Sequence, residues 1–341
     1  MTESIKLQNL IMKSLVLIVL SIGTVLVLLP VIWMLSTSLK SPRATTQMPP
    51  QWIPHDSVMA EIDGRDRYIY AIPVNGEIRH LALLKKTGSV GTFVNPDDPT
   101  ERYDLEVQSG ERVTVVKIHW ENYVEAMTKV PFGTYLLNSF KVVLWGTIGT
   151  LISNTIVAYG FARFRARGLN ILFLLLLSTM MLPYQVTLIP SFVLFQKIGW
   201  YDTLLPLIVP AFFANAWDTF LLRQYFMSIP LELDDAARID GCGPLGILWH
   251  VIIPQSKPAL ATVAIFHVLW AWNDFFNPLI YLKSQENWTV ALGLQSFNAL
   301  YTKNMHLLMA ASTVVMLPSI LIFFFAQRLF IQGVVITGIK G

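Results

Sequence analysis

A run of 21 uncharged residues, Leu15–Leu35, constrains this chain more than any other stretch. A helix of about 20 residues spans ~30 Å, the thickness of a bilayer's hydrocarbon core. Lipid offers no partner for backbone N–H and C=O groups, so such a run must close its hydrogen bonds internally as a helix. Five further apolar stretches follow: Val142–Ala162, Leu169 to about Phe195, Leu204–Leu222, Ala259–Leu282 and Met305–Leu329. They predict an all-α polytopic membrane protein with six transmembrane helices. Composition agrees, with 54% hydrophobic and 14% charged residues, against roughly a quarter charged in soluble domains. A cleaved signal peptide is the rival reading of the first run. It is disfavoured by the length of the run and by the lack of a small-residue cleavage site after it.

Several function classes are excluded. The net charge of +3 is too weak for a nucleic-acid partner. The single cysteine, Cys242, rules out an intrachain disulfide framework and a multi-cysteine metal site. The chain has no G-x-x-x-x-G-K-[ST] loop, no H-E-x-x-H and no G-x-S-x-G. It is therefore expected to be no enzyme and to hold no cofactor or metal, and any ATP would be bound by another chain.

Three regions differ in kind. Residues 1–54 hold the N-terminus, the first span and the start of an outer loop. Residues 55–119 carry 11 of the 22 acidic and 8 of the 25 basic residues, which marks a water-exposed insert. Arg67–Pro73 and Glu77–Leu84 flank Asn75-Gly76, a type I′ hairpin signal. Glu101–Val107 and Arg112–Ile118 alternate around Ser109-Gly110, which completes a small antiparallel β-module of at least four strands. Such an insert serves as a spacer, a cover over a transport mouth or a ligand sensor. Residues 120–341 hold the other five spans. Lys6 and Lys13, Arg163-Phe-Arg-Ala-Arg167, Arg223, Arg238, Lys257, Arg328 and Lys340 fall on one side, which places both termini in the cytoplasm.

Polar residues within spans are costly and face cavities or partner helices. Asp218 is expected to pair with Arg223 or Arg238, and His267 to serve helix packing. Asn273 and Asp274 either cap helix packing or line a translocation path.

The most informative polar stretch is Pro230-Leu-Glu-Leu-Asp-Asp235-Ala-Ala-Arg-Ile-Asp240-Gly-Cys-Gly-Pro244, within a loop of residues 225–257. Pro230 and the acidic residues after it suit a helix start. Gly241 and Gly243 end that helix, and Pro244 opens another that Pro254 is expected to stop. Ala236 and Ala237 leave a shallow patch where a partner's backbone can approach. By pattern alone, an amphipathic helix lying on the membrane fits as well.

Asp235-Ala-Ala-Arg-Ile-Asp-Gly, with Ile253-Pro254 and Lys257-Pro258, resembles the EAA loop of ABC-importer permeases. Asp235 stands where that family usually has Glu. Trp270-Ala-Trp-Asn273-Asp274 with Pro278-Leu279, and the tail from Gln327-Arg to Gly338-Ile-Lys-Gly341, resemble the carbohydrate importers of maltose type. The resemblance covers Leu10–Pro54 and Trp120–Gly341 and leaves out the β-insert. It implies a type I ABC importer permease, coupled to its ATPase through Asp235, Ala236, Ala237, Arg238, Asp240, Gly241 and Pro254. It implies a tail, residues 330–341, docking through Gln332, Gly333, Gly338, Lys340 and Gly341. The implied partners are a second permease subunit, an ATPase dimer, an extracytoplasmic solute-binding protein, membrane lipid and a carbohydrate substrate. Two rival classes remain: an ion-coupled secondary transporter and a membrane receptor with an extracytoplasmic β sensor.

Overall fold

A computed structural model describes residues 2–74, 76–298 and 304–335. The chain divides into two compact units, Met1–Ala126 with Phe297–Thr313, and Met127–Ser296 with Val314–Gly341.

In the first unit, helix α1 (Thr2–Ser38) carries the long apolar run, and its side chains from Leu10 to Leu29 are exposed. Its end is tied down by polar contacts. Asn122 Nδ2 donates to the carbonyls of Ser38 and Lys40 at 2.8 and 2.9 Å, and Lys40 Nζ lies 4.1 Å over the Trp33 ring.

Eight strands follow: β1 (His55–Ser57), β2 (Met59–Ile62), β3 (Arg65–Val74), β4 (Glu77–Thr87), β5 (Val90–Val94), β6 (Arg102–Glu106), β7 (Glu111–Arg112) and β8 (Thr114–Val116). All pairings are antiparallel, in the order β2-β3-β4-β5-β6, with β7 also on β3 and with β1 on β8 as a separate ribbon. Tyr70, Ile72 and Val74 alternate onto the face that packs on Leu81 and Phe93, the period-two signature of a half-buried strand. Ser109-Gly110 is not the hairpin turn that its flanks suggest. β6 pairs β5, while β7 leaves for β3. The glycine is needed for packing instead: a Cβ on Gly110 would stand 2.2 Å from Ile72 Cγ1.

The second unit is helical. It opens in α2 (Glu121–Thr128), whose last residues belong to it, and is built around α3 (Phe132–Arg163). Small residues let neighbours close on α3. A Cβ on Gly146 would lie 2.6 Å from His267 Nε2, and one on Gly149 would lie 2.6 Å from the Phe212 ring, the close approach that membrane helix packing favours. The expected third span is not continuous. It is α4 (Leu169–Ser178), a short 3₁₀ turn, and α5 (Tyr184–Lys197), with a bend of 96° between the two halves. Leu182 is extended at ψ 120° because a residue before proline is pushed out of the α region. Pro190, by contrast, is accommodated within α5.

The expected fourth span is also interrupted. It comprises α6 (Leu205–Ile208), a 3₁₀ turn through Pro210, and α7 (Ala216–Ser228). Then come α8 (Leu231–Ile239), α9 (Pro244–Ile247), a π-helical stretch Leu248–Ile252, α10 (Ile253–Gln255) and α11 (Lys257–Asn273). Pro254 does not stop its helix. The π-helical widening just before it takes up the missing N–H, and the break comes at Ser256 with an 80° bend. The expected fifth span ends at Asn273, and α12 (Phe276–Tyr281) restarts after Asp274. A short α13 (Val290–Gly293) precedes α14 (Met305–Val335), which runs through Pro318 unbroken. Among the described residues, four helices are long and apolar enough to cross a membrane, or up to six if each bent pair is one span.

Candidate functional site

Two polar features of the second unit stand out. The first is α8 and its seat. Asp234 and Ala237, three residues apart, are the two buried residues of α8, while Leu231, Glu232, Leu233, Asp235, Ala236, Arg238 and Ile239 face outward. The shallow Ala236–Ala237 patch is thus split. Ala237 packs inward with Tyr159, Phe226, Ile247 and Ile252, and Ala236 alone is exposed.

Asp234 forms an ion pair with Arg163, Nε to Oδ2 at 3.1 Å, with both side chains at 3% exposure or less. The contact lies outside hydrogen-bond alignment, so among the described residues neither Asp234 oxygen accepts a hydrogen bond. Arg163 Nη2 donates to the Ile229 carbonyl at 2.9 Å. Arg163 closes the C-terminal turn of α3 and Asp234 sits in the first turn of α8, so each charge also faces the favourable end of a helix dipole. Sequence reasoning missed this pair, since nothing in the chain's order links an arginine of a positive cluster to an aspartate 71 positions later.

Asp235 bonds Arg238 at 3.1 Å on the exposed face, where such pairs contribute little to stability. Asp240 caps α8, and Gly241 follows at φ +86°. Pro254 lies within α10. Beside them, Ile239, Leu245 and Trp249 are exposed apolar residues that the sequence reading did not single out.

The second feature is a cavity of about 650 Å³ lined by α3, α5, α6, α7, α11 and α12, within the ~300–1,000 Å³ usual for small-molecule sites. Its polar lining includes Thr150, Asn215, Asp218, His267, Asp274 and Asn277, and its aromatic lining includes Tyr184, Phe213, Trp217, Trp270 and Tyr281.

Asp218 does not pair with Arg223 or Arg238. It belongs to the cap of α7, where Asn215 Oδ1 accepts from its backbone N–H at 2.9 Å and Asn215 Nδ2 donates to its Oδ2 at 2.6 Å. Arg223 instead donates to the Phe161 carbonyl and lies 4.2 Å over the Phe173 ring. The fully buried Asn154 holds this corner, its Oδ1 accepting from Asn215 N–H at 3.0 Å and from Thr219 Oγ1 at 2.9 Å. His267 Nδ1 lies 3.0 Å from Thr150 Oγ1.

Asp274 accepts from both the backbone N–H and the Nδ2 of Asn277, at 3.1 and 2.8 Å, and the Tyr184 hydroxyl donates to Asn277 Oδ1. Asn273 does not line the cavity. It is exposed and bonds back to the Leu269 carbonyl at 2.8 Å. Gln332 and Gly333 fall in α14. Gly338, Lys340 and Gly341 lie outside the described residues. No cluster of three or more potential metal ligands occurs among the described residues.

Residues 133–336 match the family described as binding-protein-dependent transport system inner membrane component. The chain belongs to that family. It is a multi-pass membrane transport component and not an enzyme. The permease is 37% identical over 207 residues to the arabinooligosaccharides transport system permease protein AraQ of Bacillus subtilis (strain 168), covering 61% of this chain and 73% of that one. It is 34% identical over 207 residues to the sn-glycerol-3-phosphate transport system permease protein UgpE of Pectobacterium atrosepticum, covering 60% and 73%. Its fold matches a chain of a bacterial ABC transporter involved in the import of the acidic polysaccharide alginate, with a TM-score of 0.67 and 21% identity over 93% of this chain and 96% of that one.

Proposed function

We propose that this permease is one membrane-spanning subunit of an ATP-driven importer for a carbohydrate. It would work with a second permease subunit, an ATPase dimer and an extracytoplasmic solute-binding protein. In this reading α8 is the coupling helix. It lies on the cytoplasmic side, as do both termini, and the β-insert lies outside. ATP is bound by the ATPase and not by this chain. Closure of the ATPase dimer carries α8, and the spans switch between inward- and outward-facing arrangements, a two-state element biased by a partner's differential contacts. Tail docking through residues 330–341 is part of the same proposal.

The observation that carries the reading is the two-sided character of α8. Its inner face is anchored by the buried Arg163–Asp234 pair, while its outer face leaves Asp235, Ala236, Arg238 and Ile239 exposed among the described residues. A helix rigidly tied to the bundle and open on its far side suits transmission of force. The names of the two relatives, an arabinooligosaccharide and a glycerol-phosphate permease, support solute import and favour a polyhydroxylated cargo.

The test is affinity capture of the full chain from native membranes in mild detergent, with mass spectrometry of what accompanies it. Co-purification of an ATPase and a second permease is expected. Recovery of the chain alone or with copies of itself sinks the proposal and returns the secondary-transporter and receptor readings.

A further inference from the structure

Among the described residues, the lining of the cavity between α3, α5, α6, α7, α11 and α12 contains two carboxylates and no lysine or arginine. We propose that this cavity is a saccharide subsite on this subunit that accepts uncharged sugar and turns away anionic sugar, such as uronates and sugar phosphates. The inference rests on the importer reading above and names the cargo class within it.

Three observations carry it. First, Asp218 is 8% exposed and lines the cavity, yet Asn215 engages only its Oδ2 and its backbone N–H. Its Oδ1 has no hydrogen-bond partner among the described residues. Asp218 Oδ1 is not among the buried unpaired atoms, so at the cavity wall it remains open to accept a hydrogen bond from a ligand or water. A sugar hydroxyl donates such a bond, whereas a carboxylate or phosphate has no proton to give and brings a like charge.

Second, Asp274 is held in place by two hydrogen bonds from Asn277, and Tyr184 fixes Asn277 in turn. A supported acceptor of this kind holds a hydroxyl without reorganising. Third, Trp217 and Trp270 line the same cavity with largely exposed rings. Flat apolar faces suit the C–H faces of pyranose rings, and a polar edge beside them suits hydroxyls.

An anionic cargo calls for Arg or Lys, whose donors match carboxylate and phosphate oxygens. The nearest arginine on α7, Arg223, is committed to the Phe161 carbonyl and the Phe173 ring. Specificity built on repulsion as well as attraction is expected of a site with such a lining.

The test uses two probes with one skeleton, digalacturonate and its dimethyl ester, which differ in charge. Binding to the full-length chain in lipid nanodiscs is read by tryptophan fluorescence and by calorimetry. The ester is expected to bind about tenfold more tightly than the acid, a difference near 1.4 kcal/mol. Asp274→Asn, which keeps the shape of the side chain, is expected to bring the acid's affinity to within about threefold of the ester's, as removing one repulsive charge requires. Trp270→Ala, at an exposed ring, is expected to weaken both probes alike. Equal or tighter binding of the acid by the unmodified chain overturns the proposal, as does binding of neither probe. The comparison on the unmodified chain stands even if a variant fails to fold. If the ATPase and second permease co-purify but the acid binds as well as the ester, only this inference fails. If no complex forms, the importer reading itself fails.

Discussion

At single residues, the effect of a substitution depends on what it leaves unpaired. Removing Arg163 strands the Asp234 carboxylate in a site 2% exposed. Breaking a buried pair this way typically costs ~3–5 kcal/mol, whereas replacing both partners by apolar residues of similar size is often near neutral. Arg163→Ala is therefore expected to lower the unfolding temperature in detergent sharply, and Arg163→Met with Asp234→Leu to restore most of it. A double variant as unstable as the single one would show that the charges themselves hold α8. Gly241 is a different case. Nothing lies within 4 Å of a Cβ built there, so the obstacle to substitution is its φ of +86° alone. A β-branched side chain in that region costs ~1–2 kcal/mol, and asparagine tolerates it better. Gly241→Val is expected to uncouple ATP hydrolysis from uptake in the assembled importer, and Gly241→Asn to retain most coupling. Equal uptake per ATP in the two variants contradicts this.

His119 in the first unit sits between Asp56 at 2.7 Å and Glu121 at 2.5 Å. Burial pulls its pKa down, but the hydrogen bonds and charges of Glu121 and Asp56 outweigh this and hold it above 6.5. Its stabilising contribution is present below pH 6.5 and is lost as pH rises through the raised folded value. For Asp56, burial acts to raise the pKa, but bonds from Ser41 and His119 outweigh it and hold the carboxyl below 3.8. Its contribution is present above that pH and is lost as pH falls through the depressed value. Local hydrogen-exchange protection of residues 55–57 and 114–119 is expected to fall on the alkaline side of pH 6.5, and His119→Ala to remove that dependence.

Among elements, prolines decide more than hydropathy does. The apolar runs 169–195 and 204–222 read as plain spans, yet each breaks near a proline, at Leu182-Pro183 and after Pro210. Pro190 and Pro318 lie inside helices, so a proline alone does not mark the break. What distinguishes Pro183 is that the chain turns through 96° there, a packing outcome that hydropathy does not encode. On α8, Ile239 is 87% exposed. A substitution at so exposed a site usually changes stability by less than ~0.5 kcal/mol. Ile239→Glu is expected to leave the unfolding temperature of the chain unchanged while abolishing capture of the ATPase. Retained capture would remove α8 from the proposed interface.

For the molecule as a whole, the β-insert is the part most easily separated from transport. β1 and β8 pair from His55↔Val116 to Ser57↔Thr114, and Lys117 N–H donates to the Pro54 carbonyl at 3.2 Å. The two ends of the insert therefore meet, the geometry at which excision is tolerated. Replacing residues 55–116 by a short glycine linker is expected to leave uptake by the assembled importer within about twofold, whereas a receptor would lose its response. Much of the molecule was legible in the order of residues. Uncharged runs near 20 residues forced membrane helices, because lipid leaves the backbone no other partner. Pro230, Gly241 and Pro244 bounded α8, because their backbone limits are local. The acidic, alternating stretch marked the insert, because strand patterning needs only neighbours two apart. Other features required residues far apart in the chain to meet. Arg163 with Asp234, Asn154 with Asn215 and Thr219, and an acidic aromatic cavity drawn from six helices depend on which faces of α3, α7, α8 and α11 pack together. Helix packing sets that, and short-range sequence pattern does not carry it.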